Sequence, residues 1–475
     1  MAATLALFET GALTLVVGTL IGLSSPAPLA GLTEVGWLAG KALALALCCV
    51  VSFYYTDLYD WRIATDFTAC RRRVVRAAAM ALVLLWGFYV VFPEMALHGE
   101  RLLSSLGVLG MLFALRTAFC GVLRTPVATR RVMIVGTSPL AYALADRLRS
   151  QPHLRHGVVM VDDGSPSTMP TGRYPLLGPL ERLDKIIEEV RPDRIIVAPG
   201  GERRGRVAVR SLLESRARGI PVENGLDVYE RLTGKIAIES LTPSALLFSR
   251  GFRATRLHRA LGRGLSVCVA VVGLLALGVV IGLVALAIKA DSRGPVFFVQ
   301  ERVGLHNVPF RLIKFRTMRP DAGETSEWVA DNGHRITRVG KVLRKFRLDE
   351  LPQFINVLRG DMNLVGPRPH PVSNFTLFME HIPFYALRSA VRPGVTGWAQ
   401  VRYGYANNLR EETEKMRHDL YYVKHLSLWL DLRVLFDTVK VVLFGLGATA
   451  ATDVVASSVD STAARSAQGS IKHAA

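Results

Sequence analysis

Cysteine is scarce in this chain, with five among 475 residues. Cys48, Cys49, Cys70, Cys120 and Cys268 lie in or beside apolar segments. None forms a C-x-x-C pair or has metal-ligand spacing, which leaves a reduced compartment without structural disulfides as the expectation. Acidic side chains are few: 39 Asp and Glu against 58 Lys and Arg give a formal net charge of +19. That excess suits an anionic partner, whether nucleic acid, acidic lipid headgroups or phosphorylated substrates. Lys and Arg are absent before Lys41, so the charged n-region of a secretory signal peptide is missing and none is expected.

What the chain does have is apolar length. Half of its residues are hydrophobic, which favours lipid and phosphorylated substrates over nucleic acid as the anionic partner. Four apolar stretches, near 5–23, 36–55, 77–97 and 102–123, each have about 20 residues, enough to span ~30 Å of hydrocarbon. Crowded into the first quarter of the chain, they predict an N-terminal bundle of four transmembrane helices over 1–124 rather than core helices. Residues 24–34 carry no Lys or Arg, whereas 56–76 carries Arg62, Arg71, Arg72, Arg73 and Arg76, and Arg124, Arg130 and Arg131 follow the fourth stretch. The positive-inside rule then places the second loop, the N-terminus and everything just after the fourth helix in the cytoplasm.

A fifth apolar run, Leu265–Ile288, is also long enough to cross. Both of its flanks are basic: Arg250, Arg253, Arg256, Arg259 and Arg263 before it, Lys289, Arg293 and Arg302 after it. An ordinary fifth span leaves one basic flank outside. A re-entrant helix that returns to the same face satisfies both, provided it breaks, and Gly273, Gly278 and Gly282 are the candidate break points. The arginines before the run have helical spacing, forming a stripe for anionic headgroups or a solvated face.

Between these membrane segments, residues 125–245 alternate strand and helix. RRVMIVGTSPLAYALADRLRS opens the pattern and VVMVDDG, LERLDKIIEEVRPDRIIVAPG and RVAVRSLLESRARGIPVENG continue it. This predicts a doubly wound, Rossmann-like α/β domain. Its first turn, GTSPLA, keeps only Gly136 of a G-x-G-x-x-G fingerprint. No bound nicotinamide cofactor is expected, and the domain is read as structural or regulatory.

Downstream, alternation around 308–317 predicts a strand or hairpin with Lys314 and Arg316 on one face, suited to a diphosphate or to a solvated edge. GKVLRKFRLDELPQFINVLRGDM predicts a helix from Leu351, Phe354, Ile355 and Leu358, with Pro352 in its first turn and Gly360 as terminator. Asp349 then reads as its N-cap and Glu350 as a dipole partner. The same two acids also read as a site. Arg344, Lys345, Arg347 and Arg368 would balance their charge, lower their pKa values and keep Asp349 ionised. A carboxylate among cations can attack phosphorus, and a carboxylate pair can share a hard divalent cation. His334 and His370 are weaker candidates for proton transfer. Trp398 and Trp429 suit either a membrane interface or packing, and residues 425–445 an interfacial or a core helix. The Ala-, Ser- and Thr-rich tail 448–475 is expected to be disordered.

Taken in order, IKADSRGPVFFVQERVG, KFRTM, LDELPQFINVLRGDMNLVGPRP and VRPGVTGWAQV resemble the bacterial sugar transferases, the monotopic phosphoglycosyl transferases. The resemblance covers residues 250–447, and the N-terminal layout is similar to the large members of that family. It implies a catalytic α/β domain with a re-entrant helix at 265–288. It also implies Mg²⁺-dependent transfer of a hexose-1-phosphate from a UDP-sugar, glucose or galactose, to undecaprenyl phosphate at the cytoplasmic face of the bacterial inner membrane. Asp349 matches the nucleophile, which becomes a phosphosugar-aspartate with UMP release, and Glu350 its dyad partner; both are the expected metal ligands. Arg344 and Arg368 match basic residues near the phosphates, and Lys314 and Arg316 match the KFRT strand. The family's helix usually breaks at Ser-Pro; here those positions are Gly278 and Val279.

Three rival readings fit less. A nucleotide-sugar dehydratase or oxidoreductase needs a glycine fingerprint and a Tyr-x-x-x-Lys pair in the middle domain. A membrane scaffold for polysaccharide assembly leaves the acid pair unexplained. Nucleic-acid binding is not expected, because the basic residues cluster beside membrane segments. Oligomeric state stays open, a homo-oligomer included.

Overall fold

The computed structural model describes residues 32–59, 67–95, 128–150, 154–164, 174–198, 209–241, 255–319, 336–404 and 408–444, with isolated positions between them. The chain divides into two compact units, Met1–Gly225 and Leu226–Ala475.

In the first unit, α1 (Leu32–Tyr55) pairs with α2 (Phe67–Val91). Ala42, Leu45, Ala46 and Cys49 meet Leu85, and Phe53 and Leu58 meet Cys70, Val74 and Ala77. Small residues at the contact let the backbones approach. Arg73 pairs with Asp57 at 3.0 Å. Val83, Trp86, Val90 and Val91 face outward uncovered. Cys70–Val91 is long and apolar enough to cross a membrane, whereas the apolar part of α1, Ala39–Tyr55, is shorter. The expected spans 36–55 and 77–97 thus fall on helices, though α2 begins upstream and carries Arg71, Arg72, Arg73 and Arg76 in its first turns. The spans at 5–23 and 102–123 lie outside the described residues apart from isolated positions, so a pair of helices, not a four-helix bundle, is established. Contrary to the expectation of free thiols throughout, Cys70 is disulfide-bonded.

The rest of this unit is a parallel sheet. β1 (Ala128–Val135), α3 (Pro139–Arg149), β2 (Leu154–Asp162), β3 (Leu176–Pro179), α4 (Leu183–Val190), β4 (Arg194–Val197), α5 (Val209–Ala217) and β5 (Val222–Asn224) follow in order. The strand order is β3-β2-β1-β4-β5, all parallel. The central strands carry continuous apolar runs such as Val132–Val135, as a sheet buried on both faces requires. The order reverses between β1 and β4, where doubly wound folds bind ligands. Here Pro139 takes the first helical position after the Ser138 N-cap, where its missing N–H costs nothing. The Asp163 carboxylate accepts from the backbone N–H of Thr137 at 3.2 Å and of Gly200 at 2.9 Å. Amides that would face a pyrophosphate are therefore held by an internal carboxylate.

The second unit opens with most of α6 (Gly225–Thr233). Ile236 and Ile238 then enter a core with Phe375, Phe378, Tyr385, Met416 and Leu420. Residues 226–241, assigned from the sequence to the middle domain, are thus packed into this unit. α7 (Arg256–Ala276) starts at a Thr255 cap that accepts from the His258 N–H at 3.1 Å. α8 (Gly278–Asp291) follows, and between them Leu277 leaves the helical region with φ −100° and ψ 7°. The break therefore falls at Leu277–Gly278 without proline. Gly273 has a different task, since a Cβ there would lie 2.6 Å from the Phe354 ring, while Gly278 and Gly282 are open. Along α7 and α8, Val272, Leu275, Val279, Leu283 and Leu286 are all more than 60% exposed.

β6 (Phe297–Val303) and β7 (Pro309–Phe315) form an antiparallel hairpin. α9 (Arg338–Lys345), α10 (Gln353–Arg359), β8 (Asn363–Val365), α11 (Val372–His381), β9 (Gly394–Thr396), α12 (Trp398–Arg402), α13 (Leu409–Lys424) and α14 (Leu428–Phe444) complete the unit, with β8 and β9 parallel. Trp398 is a packing residue: its indole N–H donates to the Gly234 carbonyl at 2.9 Å, and Arg402 and Arg433 flank its ring. Trp429 on α14 is exposed. The tail 448–475 lies outside the described residues.

Replacing Gly273 by Val drives a side chain into the Phe354 ring and should destabilise the second unit by about 1–3 kcal/mol, lowering its thermal midpoint in nanodiscs. Gly278→Ala should leave that midpoint unchanged or raise it.

Candidate active site

The acid pair sits in a short 3₁₀ turn, Leu348–Glu350, between α9 and α10. Arg347 precedes it with φ 57°, the left-handed conformation that ends α9 and turns the chain. α10 begins only at Gln353, with Pro352 ahead of it and Gly360 ending it at φ 96°. The terminator falls where the sequence predicts. The cap does not: neither acid accepts from a backbone N–H at the start of α10. In the tighter turn, successive side chains diverge by a third of a revolution.

Asp349 and Glu350 are both buried, at 8% and 6% exposure, yet their surroundings differ. Glu350 Oε1 accepts from Arg368 Nη1 at 2.8 Å and from Arg347 Nη1 at 3.3 Å. Asp349 makes no hydrogen bond or ion pair among the described residues. Burial, then the Glu350 charge, pushes the Asp349 carboxyl up to about 6, while Lys314, Arg368 and Arg344 pull the other way. Burial also opposes Glu350, but Arg368 and Arg347 together hold it below the ordinary value. The expectation that the cations lower both pKa values therefore holds for Glu350 alone. The arginines in hydrogen-bond contact are spent on one member of the pair. At neutral pH Asp349 is still mostly ionised.

Lys314 lies on β7, its ammonium 5.0 Å from the Phe298 ring. Its pKa is lowered to about 8 by burial and then by Arg302 and Arg368. Arg302 is lowered to about 9 by the same causes, burial and Arg368. Arg344, on the last turn of α9, acts on both Asp349 and Lys314. Around the turn, Arg302, Lys314, Arg344, Arg347 and Arg368 face two carboxylates. Lys314 and Arg302 are destabilised by their cationic neighbours, Arg368 foremost among those they share, and an anion of two or more charges would relieve them.

Arg316 does not join them. It lies beyond the end of β7, so strand alternation no longer sets its direction. Its guanidinium donates to the carbonyls of Arg293 at 2.7 Å and Ser292 at 2.8 Å, and to Ser292 Oγ. It fastens the end of α8 to the hairpin. Lys345 is exposed beside Phe346. His370 is half-buried, and desolvation lowers its pKa to about 3, so it is neutral and no acid at pH 7. His334 lies outside the described residues.

Several positioning residues escape the sequence reading. Asn356, fully buried on α10, accepts from the Ile313 N–H at 3.0 Å and donates to the Arg311 carbonyl at 2.7 Å. It ties the helix after the dyad to the strand of Lys314. An amide inside the apolar run FINVL was the available signal. Ser266 on α7 accepts from the Leu364 N–H at 3.0 Å, and Arg263 donates to the Met362 carbonyl at 3.0 Å. The GPRP segment lies on the PGVTG segment with no room for side chains: a Cβ on Gly366 would meet the Arg392 carbonyl at 2.4 Å.

Beside the dyad is a cleft of about 260 Å³. Arg347 and Glu350 stand in its wall with Thr396, Gln400 and Thr438; the rest is apolar and includes Leu277 at the helix break, Phe354, Val401 and Val442.

The two carboxylates are suited to a hard divalent cation, since Asp349 is uncommitted and such an ion takes one or two carboxylates and leaves its other positions to water and phosphate. No cluster of three or more His, Cys, Asp or Glu is present among the described residues, so a cage made wholly by protein is not.

A raised carboxyl pKa means that ionised Asp349 opposes folding. Between unfolded and folded values of 3.8 and about 6, the difference is worth on the order of 3 kcal/mol. Asp349→Asn should therefore raise the thermal midpoint in chelator-treated protein. The gain is full above about pH 6 and gone below about pH 4, as a pH series of melting curves would show.

Comparison with known proteins gives the chain its relatives. Residues 257–445 match the family described as bacterial sugar transferase. An undecaprenyl-phosphate N-acetylgalactosaminephosphotransferase of Aeromonas hydrophila is 39% identical over 268 residues, covering 56% of this chain and 60% of its own length. An undecaprenyl-phosphate glucose phosphotransferase of Komagataeibacter xylinus is 34% identical over 366 residues, 72% of this chain and 65% of its own length. A UDP-glucose:undecaprenyl-phosphate glucose-1-phosphate transferase of Klebsiella pneumoniae is 30% identical over 417 residues, 83% of this chain and 87% of its own length. The chain thus spans under two thirds of the first two relatives and most of the third. It belongs to the bacterial sugar transferase family.

Proposed function

We propose that this chain transfers a hexose-1-phosphate from a UDP-sugar to undecaprenyl phosphate, initiating exopolysaccharide synthesis at the cytoplasmic face of the inner membrane. The observation that carries this reading is the contrast within the dyad: Glu350 is held by two arginines while its buried neighbour Asp349 has no partner among the described residues. A carboxylate so placed, facing an excess of cations, is a nucleophile for a phosphate that those cations draw in.

Asp349 attacks the phosphorus next to the sugar. A carboxylate oxygen–phosphorus bond forms, the bond to the bridging diphosphate oxygen breaks, and UMP leaves with that electron pair. A phosphosugar-aspartate remains. An oxygen of undecaprenyl phosphate then attacks the same phosphorus and releases the Asp349 carboxylate, so no net proton is required. Lys314, Arg344 and Arg368 hold the substrate phosphates. Mg²⁺, held by Asp349 and Glu350, would neutralise phosphate oxygens when bound.

The cleft supports a lipid acceptor. It is apolar along most of its wall and charged at Arg347 and Glu350, matching a molecule that is apolar along its length and anionic at its head. A cavity of ~150 Å³ accepts benzene, so about 260 Å³ suits the first isoprene units. The break at Leu277, the basic flanks and the uncovered apolar faces of α7 and α8 support a re-entrant helix, with α1 and α2 as membrane helices. Among the relatives' sugars, glucose and N-acetylgalactosamine are named, and we propose UDP-glucose as the first donor to try.

UMP release from a panel of UDP-sugars, in membranes with and without undecaprenyl phosphate, tests this reading. Asp349→Asn should abolish turnover and any ³²P-labelled protein intermediate; wild-type turnover by that variant overturns the nucleophile. Cysteines placed on either flank of 265–288 should label from one side of the membrane, and labelling from opposite sides refutes re-entry.

A further inference from the structure

A second cluster of buried charge lies behind the GPRP segment. Arg388, Glu412, Lys415 and Asp419 are each 5% exposed or less, with Tyr385 at 1%. Arg388 Nη2 donates to Asp419 Oδ2 at 2.8 Å, and Nη1 donates to the Tyr385 hydroxyl. That hydroxyl donates to Glu412 Oε1 at 2.9 Å, and Lys415 Nζ donates to Glu412 Oε2 at 3.2 Å. Two cations and two anions balance. Replacing such a set by apolar residues is often neutral for stability, so stability alone does not account for it.

Two contacts leave the cluster. His370 Nε2 lies 3.2 Å from Lys415 Nζ and from Glu412 Oε1. Arg388 Nη2 also donates to the backbone carbonyl of Arg368 at 2.8 Å. Arg368 is the residue whose side chain, in turn, holds Glu350 at 2.8 Å. The next carbonyls are gripped as well: Arg302 Nη1 donates to Pro369 at 2.8 Å and the Val303 N–H to His370 at 2.9 Å. A Lys in place of Arg388 keeps the charge but lacks the planar fork that meets Tyr385, Glu412, Asp419 and the Arg368 carbonyl together.

We infer that Arg388, braced by Tyr385 and Asp419, is a positioning residue that acts through the Arg368 backbone to set the reach of the Arg368 side chain to Glu350. Arg388 touches no reacting atom. It fixes the peptide from which the dyad's principal counter-ion extends, so that Glu350 engages Arg368 and leaves Asp349 uncommitted. This inference rests on the transferase reading of the dyad.

The experiment uses full-length protein in nanodiscs, following UMP release from UDP-glucose. Arg388→Met alone leaves Asp419 buried and unpaired, so the informative variant is the double change Arg388→Met/Asp419→Asn, which removes the charges together. It should fold with a thermal midpoint near that of the wild type, yet lose about tenfold or more in kcat with KM for the donor within about twofold. Arg388→Lys should recover part of that loss. In an Arg368→Lys background the same double change should cost less than about twofold, because the residue it acts through is already displaced. Wild-type kcat in the double variant, or an equal loss in both backgrounds, overturns the inference. Should wild-type protein release no UMP from any UDP-sugar, it is the transferase reading that fails instead.

Discussion

Two like charges buried in adjacent positions cannot both be compensated by one set of arginines, and the catalytic unit is arranged around that inequality. Glu350 takes the hydrogen bonds of Arg347 and Arg368, and its ionised state is secured despite burial. Asp349 is left with through-space attraction from Lys314, Arg368 and Arg344, which burial and the Glu350 charge outweigh. The result is a carboxylate that is ionised at neutral pH and still unsatisfied. Satisfaction by two or three N–H donors would have lowered its pKa and occupied its lone pairs.

Holding that arrangement requires backbone fixed from several sides, because the turn itself is only three residues long. The dyad's helix is bolted to β7 through Asn356, to α7 through the Gly273–Phe354 contact, and the following segment hangs from Ser266 and Arg263. α7 and α8 are otherwise exposed and apolar over most of their length. One face of the broken helix thus serves as scaffold for the site and the remainder is free for lipid. Arg316 belongs to this scaffold: it holds the carbonyls of Ser292 and Arg293, the two residues that follow α8.

Much of this was legible in the sequence. The parallel sheet followed from apolar runs separated by helical periods, and the break near Gly278 from length and two basic flanks. The dyad stood out because its motifs occur in order. What stayed hidden depends on contacts distant in sequence. Strand alternation assigned Arg316 to the face of Lys314, but the strand ends one residue too soon. Charge balance predicted lowered pKa values for both acids, since sequence shows which cations are near and not which carboxylate they bond. Residues 226–241 look like the end of the α/β domain by composition, yet Ile236 and Ile238 are packed against α11 and α13. The disulfide of Cys70 left no local sign.

The misread cap is the most instructive of these. A helix with Asp349 as its N-cap and Glu350 as its first residue satisfies propensity, Pro352 and the terminator alike, and a capping acid gains about 1 kcal/mol. The chain instead inserts a left-handed Arg347 and a 3₁₀ turn, delaying the helix to Gln353. The cap would have given Asp349 amide partners. Local stability is given up where local rules are strongest, and among the described residues a buried carboxylate is left without a hydrogen-bond partner, under the charges of Lys314, Arg368 and Arg344. Departures of this kind cluster at functional sites, which is the physical ground for reading a site here.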